Sequence, residues 1–497
     1  MKRFLCMLLL LALLCAAASA EGGAANWYEV FVRSYQDSDG DGLGDLNGLA
    51  SRLDYIQDMG FDGLWLMPVM PSPSYHKYDV TDYRAVDGEY GTLEDMRDLV
   101  EACHERGISV IADMPVNHTS TRHPWFLEAV RALAAGEESA YIGYYSFSQT
   151  GGAGYVPLEG TDWYYEERFA GGGMPDLNLD NAAVMAEIRG IFDFWLNDVG
   201  VDGFRLDAVT SYFTGDAEKN IALLAQFKAM AEELKPGSLL IGECWENLST
   251  IARYYESGAD GFFLFPAAQA EGFIAGSLRS RLKPAEKFAA AYQKVLDAIP
   301  EASLVPFLCN HDTGRTVGLV QGRSNPDVCK FVEGVLGMLN GRVFIYYGEE
   351  IGMVGSGDDP NKRLAMYWSD GDMTEQPPGA TAVEYAYPCV EEQLRDAGSL
   401  LNYVRAVMHA RKDHPAIAWG ENRFLLAEGS LCLMERSRGD ERCLVAVNFS
   451  PKEPGSLPVS DYKIACDLEV SGEVAAIETA NGENLLTVPR YGIVVLE

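Results

Sequence analysis

From Trp27 to about Pro415 the chain alternates short apolar runs with stretches whose apolar residues recur at helical spacing. The runs are aromatic or β-branched and are bounded by Gly, Asp or Pro, which is the signature of buried strands. Eight occur, over residues 27–35, 62–68, 109–113, 201–209, 238–244, 261–265, 304–310 and 343–347. Between them, Leu93, Met96, Leu99, Val100 and Cys103 fall on one helical face and Gly107 ends that helix. Residues 184–196 and 221–234 read as further helices. Eight β–α units in succession predict an α/β chain closed into a (β/α)8 TIM barrel.

Two intervals break the rhythm. Residues 119–180 are rich in Gly and aromatics with little periodicity, and they are too long for a simple loop. They predict a small inserted domain after the third strand. Beyond Trp419 the runs 424–434, 443–449 and 492–497 are short, with turn residues between them, and predict a C-terminal β-sandwich. The expected division is a signal peptide at 1–20, barrel at 21–118, inserted domain B at 119–180, barrel at 181–418 and sandwich at 419–497.

Composition narrows the function. A chain of 497 residues exceeds one small core. Its 39 basic and 73 acidic residues give a net charge of -34, which repels phosphate backbones and anionic lipid. No nucleic-acid partner is expected, nor a membrane span in the mature chain. Lys2 and Arg3, the apolar run from Phe4 and Ala18-Ser19-Ala20 form a secretion signal cleaved near Ala20. The alternative, a lipid anchor at Cys15, meets a poor flanking residue in Leu14. Ten cysteines include Cys6 and Cys15 of the signal, and the other eight lack metal-site spacing. Export permits disulfides; Cys432 and Cys443 flank a turn at 437–440 and are read as a possible cross-hairpin pair. A monomer is expected.

The barrel prediction directs attention to strand ends, where barrel chemistry sits. The third run ends Asp113-Met114-Pro115-Val116-Asn117-His118. The fourth contains Gly203-Phe204-Arg205-Leu206-Asp207. Side chains alternate along a strand, so Arg205 and Asp207 share a face, and the guanidinium favours the charged carboxylate. The fifth is apolar until Glu243, a setting that suits a proton donor. The seventh ends Asn310-His311-Asp312. An ionised carboxylate facing a protonated one is the equipment of glycoside hydrolysis.

These segments resemble the α-amylase family of retaining glycoside hydrolases. Residues 113–118, 203–207, 242–243 and 310–312 resemble its four conserved regions. Met174-Pro175-Asp176-Leu177-Asn178 is similar to the motif closing domain B, and Tyr75-His76-Lys77-Tyr78-Asp79-Val80 to the HGYDV segment, with Lys77 in place of glycine. The resemblance implies Asp207 as nucleophile, Glu243 as general acid/base and Asp312 as the carboxylate that grips the 2- and 3-hydroxyls. It implies that Tyr78, His118 and His311 hold the sugar before the scissile bond and that Arg205 orients Asp207. Arg363 would anchor neighbouring hydroxyls or Asp312. Trp245, just past Glu243, reads as a stacking surface on the leaving side or as core.

One acidic stretch, Asp37-Ser38-Asp39-Gly40-Asp41-Gly42-Leu43-Gly44-Asp45, looks like the front of a calcium loop. It lacks the closing glutamate of an EF-hand, since Gly48 stands there, and a strand precedes it. Similar loops follow the first strand in the branch containing oligo-1,6-glucosidases and some bacterial α-amylases. There a structural calcium is held through Asp37, Asp39, Asp41, the Leu43 carbonyl and Asp45. A second calcium between barrel and domain B is not expected, because Ser211 replaces the usual histidine. Ala208, after the nucleophile position, is the small residue that resembles α-1,4-specific members. The expectation is a secreted endo-hydrolase of α-1,4-glucans such as starch. The alternatives are an α-glucosidase or oligo-1,6-glucosidase on short sugars, and a non-catalytic scaffold.

Overall fold

The eight apolar runs become eight parallel strands: β1 (Asn26–Val30), β2 (Gly63–Leu66), β3 (Ser109–Met114), β4 (Gly203–Leu206), β5 (Leu239–Gly242), β6 (Gly261–Phe263), β7 (Leu304–Val305) and β8 (Val343–Tyr346). The computed structural model describes residues 23–497 except 170, 281 and 481–482. The expected signal peptide at 1–20 lies outside the described residues. The strand order is β7-β6-β5-β4-β3-β2-β1-β8, and a parallel bridge from Phe307 to Phe344 joins the two ends into a barrel. Most strands stop short of their apolar runs, because the chain turns out of the sheet where its charged residues begin. Those residues form the rim.

Aromatic rings fill the barrel. Trp27 stacks on Phe344 at 5.4 Å, while Phe263 packs against Trp65 and Phe344 at 5.1 Å each. Gly63 makes room for this filling, since a Cβ there would lie 2.3 Å from the Trp27 ring. The ring layer is the dry floor beneath the charged rim and leaves those charges little water screening.

Outside the barrel, α1 (Leu93–Glu105) buries Met96, Leu99, Val100 and Cys103, as its spacing predicts. Thr92 and Asp95 cap it reciprocally. Between β3 and β4 the chain forms α2 (Pro124–Ala135) and a three-stranded sheet of Phe147–Ser148, Tyr155–Pro157 and Tyr164–Glu166. The helix was not expected, because its buried positions are Phe126, Ala129 and Ala132, two of them too small to mark a periodic face. Helices α3 (Ala182–Asp193) and α4 (Ala217–Leu234) match the expected stretches, and α3 continues as a π-turn to Val199.

The C-terminal part is all antiparallel β, as expected, in two sheets. The run 424–434 is corrected: it is two strands, β9 (Glu421–Glu428) and β10 (Leu431–Arg438), folded back at Gly429-Ser430. Strand β11 (Glu441–Asn448) follows across the turn at Gly439. In this register Cys432 faces Val447 and Cys443 faces Arg436. The two cysteines lie four rungs apart, about 13 Å along the strands, so the proposed cross-hairpin disulfide does not form. All eight cysteines from Cys103 to Cys466 are free thiols. Among the described residues no helix is long and apolar enough to cross a membrane.

Candidate active site

Register places the first two carboxyls. Leu206 of β4 pairs with Gly242 of β5, so Asp207 and Glu243 are the next residues on adjacent strands, whose spacing is about 4.8 Å. One guanidinium serves both. Arg205 Nη1 donates to Asp207 Oδ1 at 2.7 Å, and its Nη2 lies 2.9 Å from Glu243 Oε2, an ion pair off the N–H axis. The same Nη1 reaches both oxygens of Asp113 at 2.9 and 3.0 Å. Arg205 is fully buried and lies over Trp65, 5.3 Å from the ring centre.

Three carboxyls around one cation cannot all ionise at no cost. Burial pushes Glu243 up to about 7, against the pull of Arg205 and with a further push from Asp207. Burial likewise raises Asp113 to about 6, offset by Arg205. Glu243 accepts a hydrogen bond from the Ala208 amide at 3.1 Å.

Asp312 stands across the cleft with 31 % of its side chain open. Its deep setting would raise its carboxyl, but His311 and Arg363 outweigh that and hold it well below the usual range. Arg363 Nη2 donates to Asp312 Oδ1 at 2.9 Å, and His311 Nε2 lies 3.0 Å from Oδ2. Of the two readings for Arg363, contact with Asp312 is the one the structure shows. Tyr78 stacks on His311 at 5.5 Å and donates its hydroxyl to Asp113 at 3.0 Å. His118 is buried, which keeps its imidazole below the ordinary histidine range, and among the described residues its Nε2 has no hydrogen-bond partner.

Asp207, Glu243, Asp312, Tyr78, His118, Trp245 and Arg363 line one cavity of about 390 Å³. Arg205 and His311 stand behind that lining. Trp245 is 49 % exposed and stacks on Phe265 at 4.8 Å, so it is a wall, with its core reading set aside. It also lines a second cavity of about 810 Å³ that continues past Phe265 toward Lys287 and Lys294.

The sequence reading missed Glu29, which lies near the C-terminal end of β1 with its side chain 2.6 Å from His311 Nδ1. A lone carboxylate in an apolar strand was the available signal. It also missed Phe169 and Asp359, which line the cavity from the insertion and from the four-residue helix Asp359–Lys362 after β8. Neither sits in an element long enough to show a periodic face.

Lys77 explains its departure from glycine only in part. Its φ of 66° is the left-handed region that favours glycine. Its ammonium is buried 2.7 Å from both Asp87 and Glu89, which ties the Tyr78 segment to residues 87–89.

In the acidic loop, carboxylate oxygens of Asp37, Asp39 and Asp45 lie within 4.8 Å of one another. This hard oxygen set fits a calcium ion. Asp41 stands outside that group and accepts the Leu43 amide at 2.7 Å. The loop winds around Asp37, which accepts amides of Asp39, Gly40 and Gly42 at 2.7–3.0 Å. At the junction with the insertion, Asn117 donates to Asp176 at 3.0 Å and Arg168 to Ser211 at 3.2 Å.

Residues 29–420 match the family description "Alpha amylase, catalytic domain". The chain is 36% identical over 440 residues to "Alpha-amylase 3" of Dictyoglomus thermophilum, covering 86% of this chain and 85% of that protein. It is 28% identical over 526 residues to an oligo-1,6-glucosidase of Parageobacillus thermoglucosidasius, covering 86% and 90%. Among solved structures, "Eubacterium rectale Amy13B" superposes with a TM-score of 0.89 at 36% identity, over 96% of this chain and 97% of that one.

Proposed function

This chain belongs to the alpha-amylase family, and from that premise we propose that it is a secreted, retaining endo-hydrolase of α-1,4-glucosidic bonds in starch-like glucans. The proposal divides the chain as the sequence does, into barrel, inserted domain, barrel and sandwich, acting as a monomer after export. The observation that carries it is the pair Asp207 and Glu243 on one guanidinium, with Glu243 raised to about 7 by burial. A charged carboxylate beside a carboxyl that keeps its proton near neutrality is what double displacement needs.

In the first step Asp207 attacks the anomeric carbon, the glycosidic C–O bond breaks, and Glu243 gives its proton to the leaving oxygen. In the second, Glu243 takes a proton from water, whose oxygen displaces Asp207. Asp312, fixed between His311 and Arg363, accepts the 2- and 3-hydroxyls most strongly as the ring flattens toward the oxocarbenium ion. Tyr78 and the free Nε2 of His118 hold that sugar. Trp245 stacks on the leaving side. Its position between two cavities supports a long substrate, because a chain leaving the cleft past Trp245 has a second groove to follow.

Calcium held by Asp37, Asp39 and Asp45, with Asp41 and the Leu43 carbonyl as further ligands, would fasten the loop after β1 and take no part in the chemistry. The alternative, an α-glucosidase or oligo-1,6-glucosidase, is supported by the second relative above. Product analysis on soluble starch, maltose and isomaltose separates the two. Early release of mixed maltooligosaccharides from starch supports the endo reading, and cleavage of isomaltose with starch left intact rejects it.

A further inference from the structure

His311 is buried with an acceptor at each ring nitrogen. Nδ1 lies 2.6 Å from Glu29 Oε1, and Nε2 lies 3.0 Å from Asp312 Oδ2, an ion pair off the N–H axis. A neutral imidazole carries one N–H and would turn a lone pair toward one of these carboxylates; a carboxylate beside each nitrogen favours the ring with both protons. The Tyr78 hydroxyl lies 3.0 Å from Asp113 Oδ2 and 2.7 Å from His311 Nε2; with its proton given to Asp113, its oxygen accepts from a protonated Nε2. The His311 amide also faces Glu29 Oε1 at 3.4 Å. Among the described residues, the hydrogen bonds to the Glu29 side chain all come from His311.

The charged groups around the ring come from six places. Glu29 faces it from β1 and Asp312 from its own loop. Tyr78 faces it from the loop after β2, with Asp113 of β3 behind. Arg205 of β4 reaches Tyr78 at 3.5 Å, and Arg363, after β8, donates to the His311 carbonyl at 3.2 Å. Trp65 closes the remaining side edge-on at 5.6 Å. Burial and the two arginines oppose a charged ring, while the carboxylates favour it and win, raising His311 to about 10. Without Glu29 the ring would have one anionic partner against two arginines and a dry aromatic floor.

We propose that Glu29 is a positioning residue of this active site, holding His311 as an imidazolium whose Nε2–H fixes Asp312 and the Tyr78 hydroxyl against the cleaved sugar. Glu29 touches no substrate. It acts from below the cleft, so a site search confined to the cavity walls does not find it. The inference rests on the proposed role of Asp312 for its catalytic meaning, but the charge state of His311 stands without it.

The test uses the full chain labelled with ¹⁵N-histidine, without substrate. Ring-nitrogen shifts are followed from pH 6 to 10 in the unmutated protein, Glu29→Gln and Glu29→Asp, with His311 assigned by its loss in His311→Gln. The unmutated protein is expected to keep His311 doubly protonated through pH 9. Glu29→Gln keeps the shape and removes the charge, and its His311 is expected to titrate at least about one unit lower. Its kcat on maltooligosaccharides should fall roughly 10- to 100-fold with little change in KM. Glu29→Asp should recover the titration, the activity or both. A merely structural Glu29 would lower the melting temperature and leave the titration in place. An unmutated His311 titrating near 6.5, or an unchanged midpoint in Glu29→Gln, overturns the proposal. Failure on starch with the titration as expected would instead reject the substrate reading alone.

Discussion

The Ala208 amide donates to Glu243 Oε2 at 3.1 Å from a backbone with φ of 47°. The residue after the proposed nucleophile thus sits in the left-handed region and helps to hold the proposed acid. Valine is disfavoured there by about 1–3 kcal/mol of strain. Ala208→Val is therefore expected to lower turnover on all substrates as well as to erode any preference for α-1,4 over α-1,6 bonds. Ala208→Gly relieves the backbone and should keep the activity. The check is kcat/KM on maltotriose and isomaltotriose for all three proteins. Full activity in Ala208→Val would show that left-handed strain at this position does not reach the acid.

Glu243 sets a pH dependence in activity and in stability. As a proton donor raised to about 7, it should make kcat/KM fall as pH rises through about 7. For stability the sign is reversed from the usual carboxylate. The folded state binds this proton more tightly than the unfolded state, so stability falls as pH rises from the ordinary carboxylate range to about 7. Glu243→Gln is expected to abolish turnover yet melt a few degrees higher than the unmutated protein at pH 8, with a smaller gain at pH 4. Melting curves at the two pH values decide it, and an equal or lower melting point at pH 8 contradicts the account.

The acidic loop should couple calcium to stability. Calcium bound to the folded state raises the melting temperature by mass action, and a chelator reverses it. Asp39 is exposed and its carboxylate belongs to the three-carboxylate group, so Asp39→Ala should remove the calcium dependence at modest cost. Asp45→Ala should cost more, because Asp45 also accepts the Gly48 amide at 2.7 Å and caps the helix Leu46–Ser51. A melting temperature indifferent to calcium removal would reject the metal reading.

Lys77 offers a separable test. Lys77→Gly loses the ammonium and relaxes the backbone; Lys77→Met loses the ammonium and keeps the left-handed strain. Removing one partner of a buried ion pair typically costs about 3–5 kcal/mol, discounted here because Glu89 is 46% exposed at its side chain. The expected order in urea denaturation is unmutated, then Lys77→Gly, then Lys77→Met. Equal stability of the two variants would show that backbone strain at this position is negligible.

What the sequence made legible was whatever repeats. Short apolar runs separated by helical stretches gave all eight barrel strands, and alternation along the fourth put Arg205 on the same face as Asp207. Relations between distant strands were not legible. Glu29 meets His311 across 282 positions, and only closure of the barrel brings β1 near the end of β7. The turn at Gly429-Ser430 was read through because the residues on both sides are apolar. The Cys432–Cys443 pairing failed for another reason: its turn at 437–440 is present, but the register about it sets Cys432 opposite Val447 and Cys443 opposite Arg436. The helix over Pro124–Ala135 was hidden because alanine fills its buried face.

The central claim is a retaining attack on α-1,4 bonds of a polymer by Asp207 with Glu243 as acid. Proton NMR of soluble starch during the first minutes of reaction tests it most directly, because the α-1,4 signal and both reducing-end anomers are resolved together. The account predicts loss of α-1,4 linkages with α-anomeric ends appearing first, equilibrating later to the β form. Ends that appear first as the β-anomer, or starch left intact by an enzyme that consumes isomaltose, would contradict it.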